Sequence, residues 1–184
     1  MGIVSEGMLQ EIRDLLRDQA EDRAPAIGLL PFTIPLVVFA RPANTTAYTA
    51  NDIWTDAATR AGGYLLNGAA RKLGGSGYFT DAIISTSAST ALQGELWIFN
   101  SPVTNVADNA AFAISDAEAQ ALVGIIPFNC TDTATNNAIS YVSGLQTVYT
   151  CNANSADLWF LVKVMNAPTP GSAEVLSVLV KVMN

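Results

Sequence analysis

The sequence predicts an all-β protein, a jelly-roll-like β-sandwich with an N-terminal amphipathic helical arm. Three features predict it: a series of short extended runs, turn residues between those runs, and a concentration of charge near the N-terminus. Nine candidate strands, one or two of which need not form, fit the eight strands of a jelly roll. The chain therefore divides into residues 1–35, the helical arm and its Pro-rich tether, and residues 36–184, the sandwich domain.

The candidate strands are rich in β-branched, aliphatic and aromatic residues, and Gly, Pro, Asn, Asp or Ser lie between them. They are Leu36–Ala40, Ala47–Trp54, Gly63–Leu66, Tyr78–Ser87, Leu92–Asn100, Leu122–Phe128, Leu145–Cys151, Leu158–Met165 and Val175–Met183. Two connections are also readable. Residues 67–77 are glycine-rich and predict an exposed loop, and Ser115 lies three residues before Glu118, the spacing of a capping box that begins one helical turn.

The N-terminal segment has the pattern of an amphipathic helix. Ser5 can cap it, a narrow apolar stripe follows, and Ala24-Pro25 ends it. A helix of about four turns is marginal in isolation, so it must dock on something. It packs either on its own domain or on other chains, and the acidic, Pro-punctuated tether favours other chains. The predicted interface with other copies or with a partner consists of Met8, Leu9, Ile12, Leu15 and Leu16 of the stripe, with Phe32 and Ile34 of the tether.

Composition limits the partners. Half of the 184 residues are apolar and 14% are charged, so part of the apolar surface is covered either by a partner or within a two-sheet core. The net charge is −7 and the nine Lys and Arg residues are scattered, which argues against binding nucleic acid. Pro25, Pro31 and Pro35 interrupt the apolar stretch of residues 24–40, so we expect no membrane span.

The expected compartment is a reducing one. Residues 1–7 lack the basic region of a signal peptide, so we expect synthesis in a host cytoplasm. In such a compartment Cys130 and Cys151 are expected to be two buried thiols, although a disulfide between them is conceivable.

The residue types argue against catalysis. The chain contains no histidine, which removes Ser-His and Cys-His nucleophile pairs and the usual zinc ligand sets. Residues 74–77 lack the Lys-Ser/Thr ending of a phosphate-binding loop, and residues 129–137 hold one acid, too few for a calcium loop. We expect no catalytic residue, cofactor or metal. Carboxylate pairs remain, but these acids lie in turn-like settings: Asp52, Asp56, Asp81, Glu95, Asp108, Asp116 and Glu118.

Two further patterns allow two interpretations each. Trp54, Trp97 and Trp159 could line a sugar-binding face, but core packing is expected for at least two of them. The hexapeptide LVKVMN occurs twice, at residues 161–166 and 179–184, and predicts two paired strands. Because each lysine alternates with apolar residues, each strand has a face that meets either water or a partner.

Several segments resemble, in order, the tailed-bacteriophage capsid decoration (cement) proteins of the jelly-roll type. The similar segments are LVVFARPANTTAYTANDIW (residues 36–54), FTDAIISTS (79–87), LWIFNSPVT (96–104), DNAAFAI (108–114), VGIIPF (123–128) and the two closing strands.

The resemblance implies a non-enzymatic virion protein on the outer surface of the capsid. Such a protein binds across neighbouring major capsid subunits and stabilises the lattice. Its implied partners are the major capsid protein and further copies of itself, with a homotrimer favoured over a homodimer. The alternative is a carbohydrate-binding jelly-roll module of a tail or fibre.

Overall fold

A computed structural model describes residues 31–57 and 60–184, which form thirteen strands and one short helix. This confirms the all-β class. The predicted helical arm lies outside the described residues. The elements are β1 Pro31–Thr33, β2 Val37–Ala40, β3 Ile53–Trp54, β4 Arg60–Gly62, β5 Tyr64–Leu66, β6 Ser76–Thr86, β7 Leu92–Phe99, β8 Val103–Val106, α1 Asp116–Ala121, β9 Leu122–Ala134, β10 Asn137–Ser143, β11 Val148–Thr150, β12 Leu158–Val164 and β13 Val175–Met183.

Eleven strands form one curled antiparallel sheet in the order β1-β13-β6-β10-β9-β7-β12-β3. At its margins β2 pairs with β13, β11 with β6 and β5 with β12, while β4 and β8 form a separate pair. Strand β9 is where the sheet changes layer, because residues 122–130 pair with β7 and residues 131–134 pair with β10. We call β1, β2, β13, β6, β10 and β11 the first layer, and β3, β5, β12, β7 and the beginning of β9 the second layer.

The main core lies between the two layers. Strand β13 alternates buried and half-buried residues along its whole length, as a strand with one face on a core must. Ile84 and Val178 of the first layer share one buried cluster with Leu96 and Phe160 of the second. Each fully buried aliphatic or aromatic side chain of this kind stabilises the fold by about 1.5–3 kcal/mol.

Opposite β9, side chains join the margins of the two layers. Phe39 of β2 stacks on Tyr64 of β5 with ring centroids 3.8 Å apart. Backbone pairing thus connects the layers on one side, and an aromatic contact connects them on the other.

The sandwich begins earlier than the sequence predicts. The compact unit starts at Pro31, before the predicted boundary at residue 36, because β1 pairs with the end of β13. Ile34 is fully buried in the main core. Its assignment to an interface with another chain is therefore corrected, since its side chain packs inside its own domain.

Three strands and part of a fourth are also missing from the prediction. Strands β4, β8 and β10 match none of the nine predicted runs, and residues 129–134, read as a loop from their polar composition, belong to β9. These residues are extended because β9 pairs with β7 and β10, an influence that local composition does not reveal.

Both cysteines are buried free thiols, as predicted. Burial raises the pKa of Cys130 to about 12 and that of Cys151 to about 11. Thiols protonated to this degree are poor nucleophiles at neutral pH.

The chain covers the outer side of the second layer with its own residues 100–121, which we call the cover. Val103 and Val106 of the cover form a second buried cluster with Phe99 and Leu161, which face away from the main core. Phe112 packs against the same cluster. The outer side of the second layer is thus apolar and buried around Phe99 and Leu161, whereas Lys163 and Glu95 are partly exposed and Ile125 is 38% exposed.

Glu118 fastens the cover. The predicted capping box is present at the start of α1, and the Glu118 carboxylate also accepts hydrogen bonds from the backbone N–H and hydroxyl of Thr104. Burial alone would raise the pKa of Glu118, but the hydrogen bonds from Thr104 and Ser115 outweigh it and lower the pKa to about 2. The ionised carboxylate is therefore the form that the fold stabilises.

We predict that Glu118 makes the free energy of unfolding depend on pH in the acid range. Its folded pKa lies below the usual value of 4.5, so its contribution is complete above that pH and is lost as the pH falls towards about 2. Glu118→Gln should be about 1.5–3 kcal/mol less stable than wild type near neutral pH. The difference should shrink steadily in acid when urea unfolding is measured at several pH values.

Asp116→Asn provides the control, because Asp116 is an exposed acid in the first turn of the same helix. Its effect should stay below about 1 kcal/mol. A Glu118→Gln difference that is equal in neutral and acid solution would contradict the assignment.

Candidate interaction surface

Residues 100–121, the cover, lie over the outer side of the second layer. No described segment lies over the outer side of the first layer in this way. Cross-strand pairing arranges its outward side chains in four rows. We call these rows together the outer face. They are Val38-Ser177-Ser85-Ile139, Leu179-Ile83-Tyr141, Lys181-Asp81-Ser143 and Met183-Tyr78-Val148.

The outer face is apolar where an antiparallel sheet in water is ordinarily polar. Val38 is 55% exposed, Ile139 41%, Tyr141 60% and Val148 70%. Isolated exposed apolar residues are common on proteins, but contiguous ones mark surfaces that contact partners. Val38 and Ile139 lie in the first row, Tyr141 in the second and Val148 in the fourth, on either side of the polar third row, and this concentration on one sheet makes the outer face the candidate interaction surface.

The charges on the outer face balance. Asp81 and Lys181 are cross-strand partners, and they are the two charged side chains among the four rows. The Tyr141 hydroxyl donates to Asp81 Oδ1 at 3.0 Å, and the Lys181 Nζ lies 6.0 Å from the Tyr141 ring centroid. The hydrogen bond to Asp81 is the main cause of a raised pKa of Tyr141. The surface is thus neutral in a chain whose net charge is −7.

The two copies of the repeated hexapeptide do not pair with each other, contrary to the prediction, but lie on β12 and β13 in different layers. On β12, Lys163 is the cross-strand partner of Glu95, with Nζ 3.5 Å from Oε2 and 5.4 Å from the Trp97 ring. On β13, Lys181 is the cross-strand partner of Asp81, and the nearby ring is that of Tyr141 on β10, while Ile83 holds the position that matches Trp97. An acid and an aromatic ring accompany the lysine in both copies.

The two copies differ in what lies above them. Leu161 of the first copy is fully buried in the second cluster, beneath the cover. Leu179 of the second copy occupies the matching position on β13, is the cross-strand partner of Ile83, and is half-buried. The leucine of the first copy is therefore covered by described residues of the chain, whereas the leucine of the second copy is left partly exposed.

A second polar cluster lies at the connection between β2 and β3. Arg41 is fully buried and donates to the backbone oxygen of Asn44 at 2.8 Å and to Asp108 Oδ2 at 3.2 Å. The Asp108 carboxylate also accepts from the Tyr48 hydroxyl and the backbone N–H of Thr55. Burial, followed by the hydrogen bond to Asp108, raises the pKa of Tyr48.

This cluster borders a cleft of about 310 Å³ lined by Pro42, Asn44, Thr46, Asp108 and Asn109. Three donors already bind the Asp108 carboxylate, so its role is to neutralise the charge of Arg41. The cluster joins the β2–β3 connection to the cover, which contains Asp108. We interpret it as a structural tie.

The sequence-predicted interface residues have different fates. Met8, Leu9, Ile12, Leu15 and Leu16 lie outside the described residues. Phe32 pairs through its backbone with Val182, and its side chain is not among those described. Ile34 lies in the core, as stated above. Of these residues only Ile34 has a described side chain, and it does not lie on the outer face. The sequence reasoning missed the members of the outer face except for the alternation around Lys181.

Six of the seven singled-out acids accept hydrogen bonds within the chain, and the seventh, Asp116, lies in the first turn of α1. The six are Asp52, Asp56, Asp81, Glu95, Asp108 and Glu118. The aromatic prediction is confirmed for two tryptophans. Trp54 is fully buried in the main core, and Trp97 packs on Phe112 with ring centroids 4.7 Å apart.

Within residues 31–57 and 60–184, no three His, Cys, Asp or Glu side chains cluster as metal ligands would. Across the same residues no helix has the length and apolar character needed to cross a membrane. No protein-family model matches the chain, and no curated protein matches it.

We predict that Arg41 and Asp108 are worth more to stability than an exposed ion pair of the same type. Arg41→Met leaves the Asp108 carboxylate buried without its cation and should lower the free energy of unfolding by about 3–5 kcal/mol. Urea unfolding followed by circular dichroism measures this. Arg60→Met is the matched control, because Arg60 binds Asp56 at 2.9 Å with both side chains about one-third exposed. It should cost no more than about 1 kcal/mol. Equal losses in the two variants would contradict the interpretation.

Proposed function

We propose that the described strands form a jelly roll. The proposal is supported by strand order: β2-β13-β6-β10 in the first layer and β3-β12-β7-β9 in the second. If these eight strands are lettered B to I along the chain, the layers read B-I-D-G and C-H-E-F, the two sheets of a jelly roll. The remaining strands then extend the margins of the sheets or belong to the cover.

We further propose that the protein is a non-enzymatic virion structural protein that decorates a phage capsid. It is synthesised in the host cytoplasm and binds on the outer surface of the capsid, across neighbouring major capsid subunits. The observation that carries this proposal is the apolar, neutral outer face, which suits contact with protein, including a further copy of the chain within a decorating oligomer. The resemblance of residues 36–184 to decoration proteins supplies the setting. A jelly roll alone would not identify a function, because this architecture serves many.

The mechanism is linkage between binding and lattice stability. Many copies that bind the expanded lattice, and not its precursor, shift the equilibrium towards the expanded state by mass action. The apolar stripe of the arm, from Met8 to Leu16, is proposed to join copies of the protein, with a homotrimer favoured.

The alternative, a carbohydrate-binding module of a tail or fibre, has less support. Sugar sites commonly present aromatic rings at the surface, whereas Trp54 and Trp97 pack internally. The cleft near Arg41 is lined by polar residues and Pro42 and has no aromatic residue in its lining.

Copy number in the purified particle tests the proposal. Quantitative mass spectrometry should find the protein in numbers comparable to the major capsid protein, because decoration repeats across the lattice. A few copies per particle would instead indicate a tail or fibre module, and absence from the particle would overturn both.

The arm is tested by adding the full-length protein to expanded capsids that lack it. Ile12→Asp with Leu16→Asp should abolish binding while the circular dichroism of the β domain is retained. Gln10→Asp with Arg17→Gln makes the same net charge change of about −2 off the predicted stripe, by adding one carboxylate and removing one guanidinium, and should leave binding unchanged. Normal binding by the stripe variant would show that the arm is dispensable.

A further inference from the structure

We propose that the outer face is a self-association surface, on which the outer face of a second copy packs around a twofold axis. This deepens the proposed homo-oligomer and rests on it for its biological setting. The contact is separate from the arm, which lies in a different part of the chain.

The first argument is the unequal covering of the repeated hexapeptide. On β12 the lysine, acid and aromatic ring beside the cover are half-buried, with 15% of the Lys163 side chain and 23% of the Glu95 side chain exposed, and Leu161 is fully buried. The corresponding arrangement on β13 leaves Leu179 half-buried and Tyr141 60% exposed. An apolar surface of the same construction needs a covering of the same kind, and no described segment of this chain supplies it.

The second argument is that the outer face complements itself. A twofold axis that runs along the sheet between β13 and β6 exchanges these two strands, and also exchanges β2 with β10. Leu179 of one copy then faces Ile83 of the other, and Val38 faces Ile139. The small Ser85 and Ser177 face each other at the centre of the row. An isologous contact requires that residue i of one copy meets residue j of the other while j of the first meets i of the second, as these pairs do.

Charge is compatible with a second copy as the partner. Two chains that each carry −7 repel one another, and a neutral contact surface adds no local repulsion to this. The proposed axis places Lys181 of each copy opposite Asp81 of the other, so that two opposite charge pairs form across the contact.

The outer face is large enough for a stable contact. The nine residues of β13 span about 30 Å, and four strands are about 19 Å wide. About 600 Å² of each copy would be covered, or about 1,200 Å² in total, which is at the lower end of specific interfaces.

The test is an exchange of the two charges. Asp81→Lys places two lysines opposite each other, and Lys181→Asp places two aspartates opposite each other. Each single variant should therefore halve the mass of the species that the full-length wild type forms, as measured by light scattering over a range of concentrations. The double variant, Asp81→Lys with Lys181→Asp, should restore the wild-type mass because the opposite charges meet again.

Two further variants keep the test decisive. Lys72→Asp makes the same charge change as Lys181→Asp at an exposed loop position and should leave the mass unchanged. Ile139→Asp places a charge at a position that is already 41% exposed, so it should fold normally and still halve the mass. Circular dichroism verifies folding in each case.

Two results would overturn the proposal. In the first, the wild type has the same mass as Ile139→Asp and the single charge variants at every concentration. In the second, the double variant stays at half the wild-type mass. Capsid binding is measured separately. If the protein decorates capsids but the wild type and the variants have equal masses, the proposed function stands and this contact is wrong. If the masses differ as expected but the protein does not bind capsids, the contact stands and the proposed function is wrong.

Discussion

Every sheet has two faces, and burying one leaves the other to be covered separately. This constraint governs the whole protein, because β12 and β13 each carry apolar side chains on both of their faces. The inner faces meet and form the main core. The second layer then buries its outer side beneath residues 100–121, where Leu161 contacts the buried valines of the cover. The first layer receives no such covering from the described residues, and its apolar outer face is the consequence.

The tertiary ties follow from the same constraint, because a cover works only while it stays in place. Glu118 holds α1 to β8 through hydrogen bonds with Thr104, and Asp108 holds the end of the cover to Arg41. Both carboxylates are buried, and each is hydrogen-bonded to backbone and side-chain donors. The outer face of the first layer is neutral for a separate reason, since Asp81 and Lys181 balance each other there. The protein therefore has one face closed by its own chain and one suited to contact with another chain.

The sequence was sufficient for features with local signals. The all-β class, the capping box at Ser115 and two buried thiols could be predicted from residue types and spacing. Strand β10 could not, because the Asn and Ser among its apolar residues resemble a loop until pairing with β6 and β9 is known. Ile34 was misassigned because its burial depends on the course of the chain between β1 and β2, beside β13. The alternation around Lys181 indicated a partner-facing strand, but the outer face itself could not be derived. Ile83 and Tyr141 become neighbours of Leu179 through strand register, which is non-local.

The central claim is that the outer face is buried when the full-length protein assembles. Carbene footprinting at increasing protein concentration measures this directly, because it labels exposed side chains without changing the sequence. The labelling of Tyr141 and Val148 should fall as the protein associates, while the labelling of Leu73, which is 64% exposed in the glycine-rich loop, should remain constant. Constant labelling of Tyr141 and Val148 in a protein whose mass increases with concentration would contradict the account, because association would then use another surface.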